Sequence, residues 1–195
     1  MDSNDRLWIA DVGQSCWEEI NLVTMGNQAN LGWAEMEGFQ PVDGSAPCES
    51  SNENYSNDVG YTMPVATYAH TGGNCSITGG FWMDWGPEEL RGGYLYGDFC
   101  SGSIWILKEE NGEWSQNYIG SSGGMIVGFG QGLGGELLAL HWTGEIVQII
   151  HSPSAFPPLC RIQYVIKVYQ RSIQALFQRR LHTIWGCLLY TSPSP

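Results

Sequence analysis

The chain has 195 residues, including 26 glycines, 9 tryptophans and 9 tyrosines, and only 14% of its residues are charged. This composition suits short strands joined by tight turns and argues against a helical bundle. Residues 1–151 contain 3 basic and 20 acidic residues, whereas residues 152–195 contain 5 basic and no acidic residues. Because residues 1–151 are so acidic, they should repel nucleic acid and anionic membranes.

One pattern occurs three times along the first 151 residues. Each copy is an apolar strand, a polar turn with glycine and a second apolar strand, at 7–11 with 19–23, 94–98 with 103–107, and 137–141 with 145–149. Asp98 and His141 occupy the same place in successive copies, and their separation is typical of one propeller blade. The pattern predicts an all-β fold and favours a propeller over a β-sandwich, the alternative with similar short strands.

The six cysteines are widely spaced and form no CxxC pair, which argues against a zinc site and favours an oxidising compartment. The first four cysteines allow three pairings. We favour Cys75 with Cys100, because both fall on neighbouring strands of one predicted blade. The polar stretch at 35–60 is interpreted as a long insertion, which a disulfide through Cys48 could hold in place.

The two ends of the chain differ from its body. The first six residues lack the apolar segment of a signal peptide, so a secretion signal is expected upstream. No apolar run is long enough to cross a membrane. Residues 161–185 are basic with the apolar spacing of an amphipathic helix. Because residues 187–195 resemble a translated sequencing adapter, we expect residues 152–195 to be a non-native or irregular tail.

Four phrases, in order, resemble the glucose/sorbosone dehydrogenase family of soluble pyrroloquinoline quinone (PQQ) sugar dehydrogenases and Hedgehog-interacting-protein propellers. They are DVGQSCWEEIN at 11–21, NLGW at 30–33 followed by Glu37-Gly38, CSITGG at 75–80, and LRGGYLYGDFCSGSIW at 90–105. The resemblance implies a six-bladed propeller, of which residues 1–151 would form the C-terminal two to three blades.

The resemblance also implies a calcium ion near the first phrase, where a hard cation prefers oxygen ligands. Gly13 and Gln14 would supply backbone carbonyls, and Glu18 or Glu19 would supply negative charge. The family's catalytic histidine lies in an earlier blade, so no residue of this chain is predicted to be catalytic.

The predicted PQQ-facing residues are His70, Asp84 and Ser101. His70 lies in a loop that can reach the pocket, although a histidine that only hydrogen-bonds its loop is the plainer interpretation. Asp84 and Ser101 stand where the family places Lys or Arg against the PQQ carboxylates, and an aspartate there would repel them. Four tryptophans are candidates for stacking on sugars or for the core: Trp82, Trp85, Trp105 and Trp142.

Two main hypotheses follow for function. The first is part of a secreted or periplasmic PQQ- and calcium-dependent aldose dehydrogenase, which transfers hydride from a sugar to PQQ and electrons to an external acceptor. Taken alone, residues 1–195 would be inactive, because they lack the catalytic base. The alternative is a non-catalytic extracellular propeller that binds protein or carbohydrate, as in Hedgehog-interacting proteins, and the absence of basic residues at 84 and 101 favours it.

Overall fold

The computed structural model describes residues 1–42, 60–151, 164–169 and 182–183. Within these residues the protein is all-β apart from one 3-10 turn at Glu88–Leu90. The strands form antiparallel sheets arranged as a partial propeller. No helix in this described part of the chain is long and apolar enough to cross a membrane.

The first sheet has three strands in the order β1-β2-β5, and a small hairpin, β3-β4, lies between β2 and β5 in sequence. Their bounds are Arg6–Asp11 for β1, Trp17–Thr24 for β2, Met36–Glu37 for β3, Gln40–Pro41 for β4 and Ala66–Ala69 for β5. In the β1–β2 ladder Asp11 pairs with Glu19, and in the β2–β5 ladder Glu18 pairs with Tyr68.

The second sheet is a four-stranded meander of β6 (Ile77–Trp82), β7 (Gly93–Asp98), β8 (Ser103–Glu110) and β9 (Glu113–Ser121). The third sheet follows with β10 (Ile126–Gln131), β11 (Leu137–His141), β12 (Ile146–His151), β13 (Tyr164–Tyr169) and β14 (His182–Thr183). Each pair of sequential strands within these sheets is antiparallel.

Strand β6 lies between β1 and β10. A methyl group added to Gly79 would meet Ala10 of β1, and one added to Gly80 would meet the Leu95 carbonyl and Phe129 of β10. The glycine pair therefore allows the backbone of β6 to approach a neighbour on each of its faces.

Two apolar clusters fill the spaces between the sheets. The cluster between the first and second sheets consists of Trp8, Ile20, Ala66, Ile77, Tyr94, Tyr96 and Leu107. The cluster between the second and third sheets consists of Met83, Leu90, Leu95, Ile104, Ile106, Ile126, Leu137, Ala139 and Ile149. Burial of these side chains is the main force that holds the sheets face to face.

Several sequence predictions are confirmed. The three repeated hairpins are β1–β2, β7–β8 and β11–β12, each with antiparallel pairing. Cys75 and Cys100 form a disulfide, with Cα atoms 5.7 Å apart. Cys16 is also disulfide-bonded. Most of the predicted insertion at 35–60, including Cys48, lies outside the described residues.

The predicted helix at 161–185 is wrong where this stretch is described. Residues Tyr164–Tyr169 form strand β13, which pairs with β12 from Ile146 to His151. Its β-branched residues favour extended backbone, and the edge of β12 offers them hydrogen-bonding partners. The rest of the predicted tail lies outside the described residues, and the boundary after residue 151 stays a prediction.

Candidate functional site

The turns of the three hairpins lie at one end of the sheets. Ile77 at the start of β6 donates its backbone N–H to Glu18 at the start of β2, over 2.7 Å. Thr78 donates its hydroxyl to the carbonyl of Ile126 at the start of β10. Three acidic side chains, Glu18, Glu37 and Asp98, are buried here, and we call this region the carboxylate end.

The side chain of Glu18, near the start of strand β2, is completely buried. Its Oε1 atom lies 2.5 Å from Nε2 of His70, and its Oε2 accepts the Ile77 N–H. Burial raises the pKa of Glu18, and the contacts with His70, Ile77 and the backbone of Gly13 offset only part of that rise. The pair therefore fixes the loop that starts at His70 against the first sheet.

Glu37 holds the turn between β1 and β2. Its Oε1 accepts the backbone N–H groups of Ser15 and Cys16 at 2.7 Å and of Trp17 at 3.0 Å. Burial alone would raise the pKa of Glu37, but these three donors outweigh it and lower that pKa below its ordinary value. The turn is tight, because a side chain at Gly13 would collide with the Trp17 carbonyl.

Asp98 organises the turn between β7 and β8. Its Oδ2 accepts the Tyr68 hydroxyl at 3.0 Å and the backbone N–H groups of Cys75 and Ser76 at 2.9 Å. Its Oδ1 accepts the Ser101 N–H at 2.8 Å. Four donors thus surround a carboxylate that is 0% exposed, and Asp98 is a turn-capping residue.

Glu19 and Asn21 lie on the other face of β2. The carboxylate of Glu19 accepts the Gly38 N–H and the Asn21 side-chain amide. Burial raises the pKa of Glu19, these two hydrogen bonds oppose the rise, and the nearby charges of Asp11 and Glu37 add to it. Glu19 therefore attaches the loop after β3 to the first sheet, and it does not face Gly13.

His141 occupies in the third hairpin the place that Asp98 has in the second. It is 5% exposed, and its ring packs on the backbone of Gly124, ahead of β10. Neither ring nitrogen has a hydrogen-bond partner among the described residues; the nearest carboxylate oxygen, in Glu145, is 3.6 Å from Nδ1. His141 is a turn residue, because its backbone N–H donates to the Glu145 carbonyl.

The predicted calcium ligands come together only in part. Gly13 lies beside Glu18, because its backbone hydrogen-bonds that carboxylate. However, Glu18 already accepts from three donors and is shielded from solvent, so it has little capacity left for a cation. In the described part of the chain, no group of three or more His, Cys, Asp or Glu side chains is placed to hold a metal ion. Glu18 as arranged does not fit a calcium ion, and the backbone carbonyls of Gly13 and Gln14 stay a prediction as calcium ligands.

The predicted PQQ contacts also lie apart. Ser101 belongs to the carboxylate end, where its N–H and hydroxyl are used within the β7–β8 turn. His70 is engaged by Glu18. Asp84 is exposed and follows the far end of β6, roughly 20 Å of strand away from Ile77. The three side chains do not form one pocket for a tricarboxylate, and they do not fit PQQ as arranged.

Most of the candidate sugar-stacking tryptophans pack against other aromatic rings. Trp82 stacks on Trp8, Trp85 meets the edge of Phe81, and Trp105 stacks on Tyr68 and Tyr96. Trp142 differs from these three.

Trp142 is 70% exposed at the carboxylate end, with its ring 6.2 Å from that of Phe99 in a T-shaped contact. Its backbone N–H donates to the Met125 carbonyl, which fixes its position. Of the four candidate tryptophans, Trp142 is the one whose side chain is largely exposed.

Sequence reasoning missed the role of Glu37. Glu37 belongs to one of the four family phrases, but its hydrogen bonds run to a turn 20 to 22 residues earlier. In the sequence, Glu37 is only a carboxylate before Gly38 in a polar stretch. This pattern does not indicate which backbone N–H groups the carboxylate binds.

Comparison with known proteins gives two relatives. The HIPL2 protein of Arabidopsis thaliana is 32% identical over 124 residues, which are 59% of this chain and 17% of that relative. The chain is similar to this HIPL protein over somewhat more than half of its length. The HIPL1 protein of the same plant is 32% identical over 105 residues, 49% of this chain and 14% of HIPL1.

The chain thus spans less than a fifth of the length of the HIPL relatives that it matches. No family model matches the chain, and no solved structure matches it. The HIPL relation agrees with the Hedgehog-interacting-like part of the resemblance, whereas the PQQ dehydrogenase part stays a prediction.

Proposed function

We propose that the chain is part of a non-catalytic extracellular propeller of HIPL type, which binds a partner protein or a carbohydrate. The observation on which this rests is the use of the buried carboxylates. Glu18, Glu37 and Asp98 each accept three or more hydrogen bonds from the chain itself. They serve to shape turns.

A general base needs a lone pair that can reach substrate, and a metal ligand needs one that can reach the ion. The carboxylate oxygens described above direct their lone pairs at backbone N–H groups, a tyrosine hydroxyl and His70. Proton transfer or metal binding by Glu18 would require His70 to be displaced, which would leave a buried charge without its partner. These residues therefore support a scaffold better than a reaction centre.

The charge pattern supports the same conclusion. PQQ carries three carboxylates, and a site for it needs cations. At the positions where the resembled family has Lys or Arg, this chain has Asp84 and Ser101. Asp84 is exposed, and the N–H and hydroxyl of Ser101 are hydrogen-bonded within its own turn. An acidic body of this kind would repel the cofactor.

Trp142 is the best candidate for a recognition residue at the carboxylate end. Exposed tryptophans supply a large rigid surface for contact with proteins or sugar rings. The ring is supported by Phe99, and Cys100 of the Cys75–Cys100 disulfide lies next to Phe99 in the β7–β8 turn. A disulfide of this kind is compatible with an extracellular protein, and we propose that the protein is secreted.

Cofactor titration of the full-length protein, with the expected upstream blades included, tests this proposal, because the 195-residue chain alone would be inactive under either hypothesis. Thermal unfolding is measured with EDTA, Ca²⁺, Mg²⁺, and Ca²⁺ plus PQQ, followed by dye reduction with a panel of aldoses. We expect the same midpoint in every condition and no dye reduction. A Ca²⁺-specific rise in the midpoint that increases further with PQQ would overturn the proposal and favour the aldose dehydrogenase, with its sugar substrate and external electron acceptor.

A second measurement tests recognition directly. The wild-type chain and the Trp142→Ala variant are applied to a glycan array and to a panel of purified extracellular protein domains. We expect at least one ligand to bind the wild type and to lose binding to the variant. Tyr118→Ala is the matched control, because Tyr118 is also an exposed aromatic residue but lies on β9. Equal loss in both variants, or no ligand at all, would contradict the role of Trp142.

A further inference from the structure

The chain contains two Asn-X-Ser sequences, Asn-Tyr-Ser at 54–56 and Asn-Cys-Ser at 74–76. This three-residue pattern is the acceptor for N-linked glycosylation in secreted proteins, where it lies in a surface loop. The first copy lies outside the described residues. The second lies in the loop between β5 and β6, just before Ile77 at the carboxylate end, so its surroundings are known.

The loop around Asn74 is open to solvent. Thr71 to Asn74 form a β-turn, in which the Asn74 N–H donates to the Thr71 carbonyl over 3.0 Å. Thr71, Gly72 and Gly73 are exposed, and a methyl group added to either glycine would meet no heavy atom within 4 Å. The turn therefore leaves free space beside Asn74 for a bulky substituent.

The side chain of Asn74 is partly exposed. Its amide has no hydrogen-bond partner among the described residues, and the buried side-chain atoms that lack a partner belong to other residues, so the amide reaches solvent. Asn21, in contrast, is fully buried and donates its amide to Glu19. A sugar attached to Asn74 would break no hydrogen bond within the described part of the chain.

The backbone on both sides of Asn74 is fixed in the folded protein. Ahead of it, the His70 N–H donates to a carbonyl of the β1–β2 turn over 2.9 Å. Directly after it, Cys75 donates its N–H to Asp98 over 2.9 Å and forms the disulfide with Cys100. An enzyme can bind this segment as a free peptide only before the disulfide closes. A glycan on Asn74 is therefore attached before folding and keeps a fixed position afterwards.

We propose that Asn74 carries an N-linked glycan. Nδ2 of its amide forms a bond to the anomeric carbon of an oligosaccharide that is carried on a polyprenyl diphosphate. The bond from that carbon to the diphosphate oxygen breaks, and the diphosphate leaves with the amide proton. The Ser76 hydroxyl completes the pattern that the transferase recognises. This inference rests on the proposed secretion of the protein and is independent of the ligand proposed for Trp142.

Site-resolved mass spectrometry of the full-length protein, with its upstream blades, tests the inference. The protein is expressed in cultured eukaryotic cells behind an added signal peptide, and cells and medium are pooled. Peptide N-glycosidase in water enriched in heavy oxygen then converts each glycosylated asparagine into a labelled aspartate. We expect the label at Asn74. An unlabelled Asn74, whether or not Asn54 is labelled, would overturn the inference.

Variants separate the sequence pattern from the loop. Asn74→Gln and Ser76→Ala should each abolish the glycan at this site, whereas Ser76→Thr keeps the pattern and should retain it. The matched control is Asn117→Gln, which changes an exposed asparagine outside any such pattern and should leave the label at Asn74 unchanged. Because attachment precedes folding, the readout holds even for a variant that folds poorly. A label that persists in Ser76→Ala, or disappears in Ser76→Thr, would overturn the inference.

Expression with the natural upstream sequence, in place of the added signal peptide, tests the secretion on which the inference rests. If this version stays inside the cells without a glycan while the other is labelled at Asn74, the proposed secretion is wrong and the inference falls with it. If both versions are secreted and neither is labelled at Asn74, only the inference is wrong, and the proposed recognition function stands.

Discussion

Nε2 of His70 lies 2.5 Å from Oε1 of Glu18, although the two residues are 52 positions apart in the chain. Glu18 is fully buried, whereas the His70 side chain is 21% exposed. The two partners are therefore unequal, because the histidine has contact with solvent whereas the carboxylate depends on its protein neighbours.

His70→Ala should destabilise the protein by about 3 kcal/mol, because it leaves Oε1 of the buried Glu18 carboxylate without its hydrogen-bond partner. Glu18→Gln should cost only about 1 kcal/mol, since the amide keeps the size of the side chain and can still accept the Ile77 N–H. Urea unfolding at neutral pH measures both values. A larger loss for Glu18→Gln would show that the carboxylate has a role other than pairing with His70.

Glu37 should make stability depend on pH in acid. Its folded-state pKa is lowered by backbone donors, so its stabilising effect is fully present above the ordinary value of 4.5 and is lost as the pH falls through the lower folded-state value. Glu37→Gln should therefore reduce the free energy of unfolding at neutral pH. As the pH falls below about 5, the variant should lose less of its stability than the wild type does. Unfolding midpoints measured across this range provide the test.

Glu113→Gln is the control for the acid series, because Glu113 is exposed on strand β9. Its pH profile should follow that of the wild type. If Glu37→Gln also follows the wild-type profile, the hydrogen bonds to the β1–β2 turn do not stabilise the fold as described.

Asp98→Asn should destabilise the protein by about 2–4 kcal/mol, because an amide presents an N–H₂ group to donors that now face a carboxylate. Asp11→Asn is the same substitution at the corresponding place of the first hairpin. Asp11 is partly exposed and should tolerate the change within about 0.5 kcal/mol. Denaturant midpoints of the two variants make the comparison, and similar values would refute the special role of Asp98.

Gly80→Ala should cost at least about 2 kcal/mol, since the new methyl group would collide with the Leu95 carbonyl and force β6 away from β7. The matched control is Gly128→Ala in β10, where no heavy atom lies within 4 Å of the added methyl group. Thermal unfolding of the two variants tests the close approach of the strands. Equal tolerance of both changes would mean that β6 does not lie as the structure places it.

The strands were predictable from sequence because their information is local. Alternating apolar residues and a glycine-containing turn are enough to specify each hairpin, and the disulfide between Cys75 and Cys100 followed from the pairing of neighbouring strands. The segment at Tyr164–Tyr169 was not predictable in this way. Its apolar spacing suits a helix, but pairing with β12 decides its conformation.

The site residues depend on distant partners, and sequence patterns do not report these. The motif around Glu18 indicated a ligand carboxylate, yet whether its oxygens are available depends on His70 and Ile77, more than 50 residues away. Asp84 appeared close to the other candidates only through its motif, and the length of β6 separates it from them.

The glycine pair in β6 has a consequence for how the protein unfolds. Since the backbone of this strand packs directly on Ala10 of the first sheet and Phe129 of the third, little space exists there to take up a local displacement. Loosening of one sheet would expose the backbone of the next, so the described sheets should melt in a single cooperative transition and not one blade at a time.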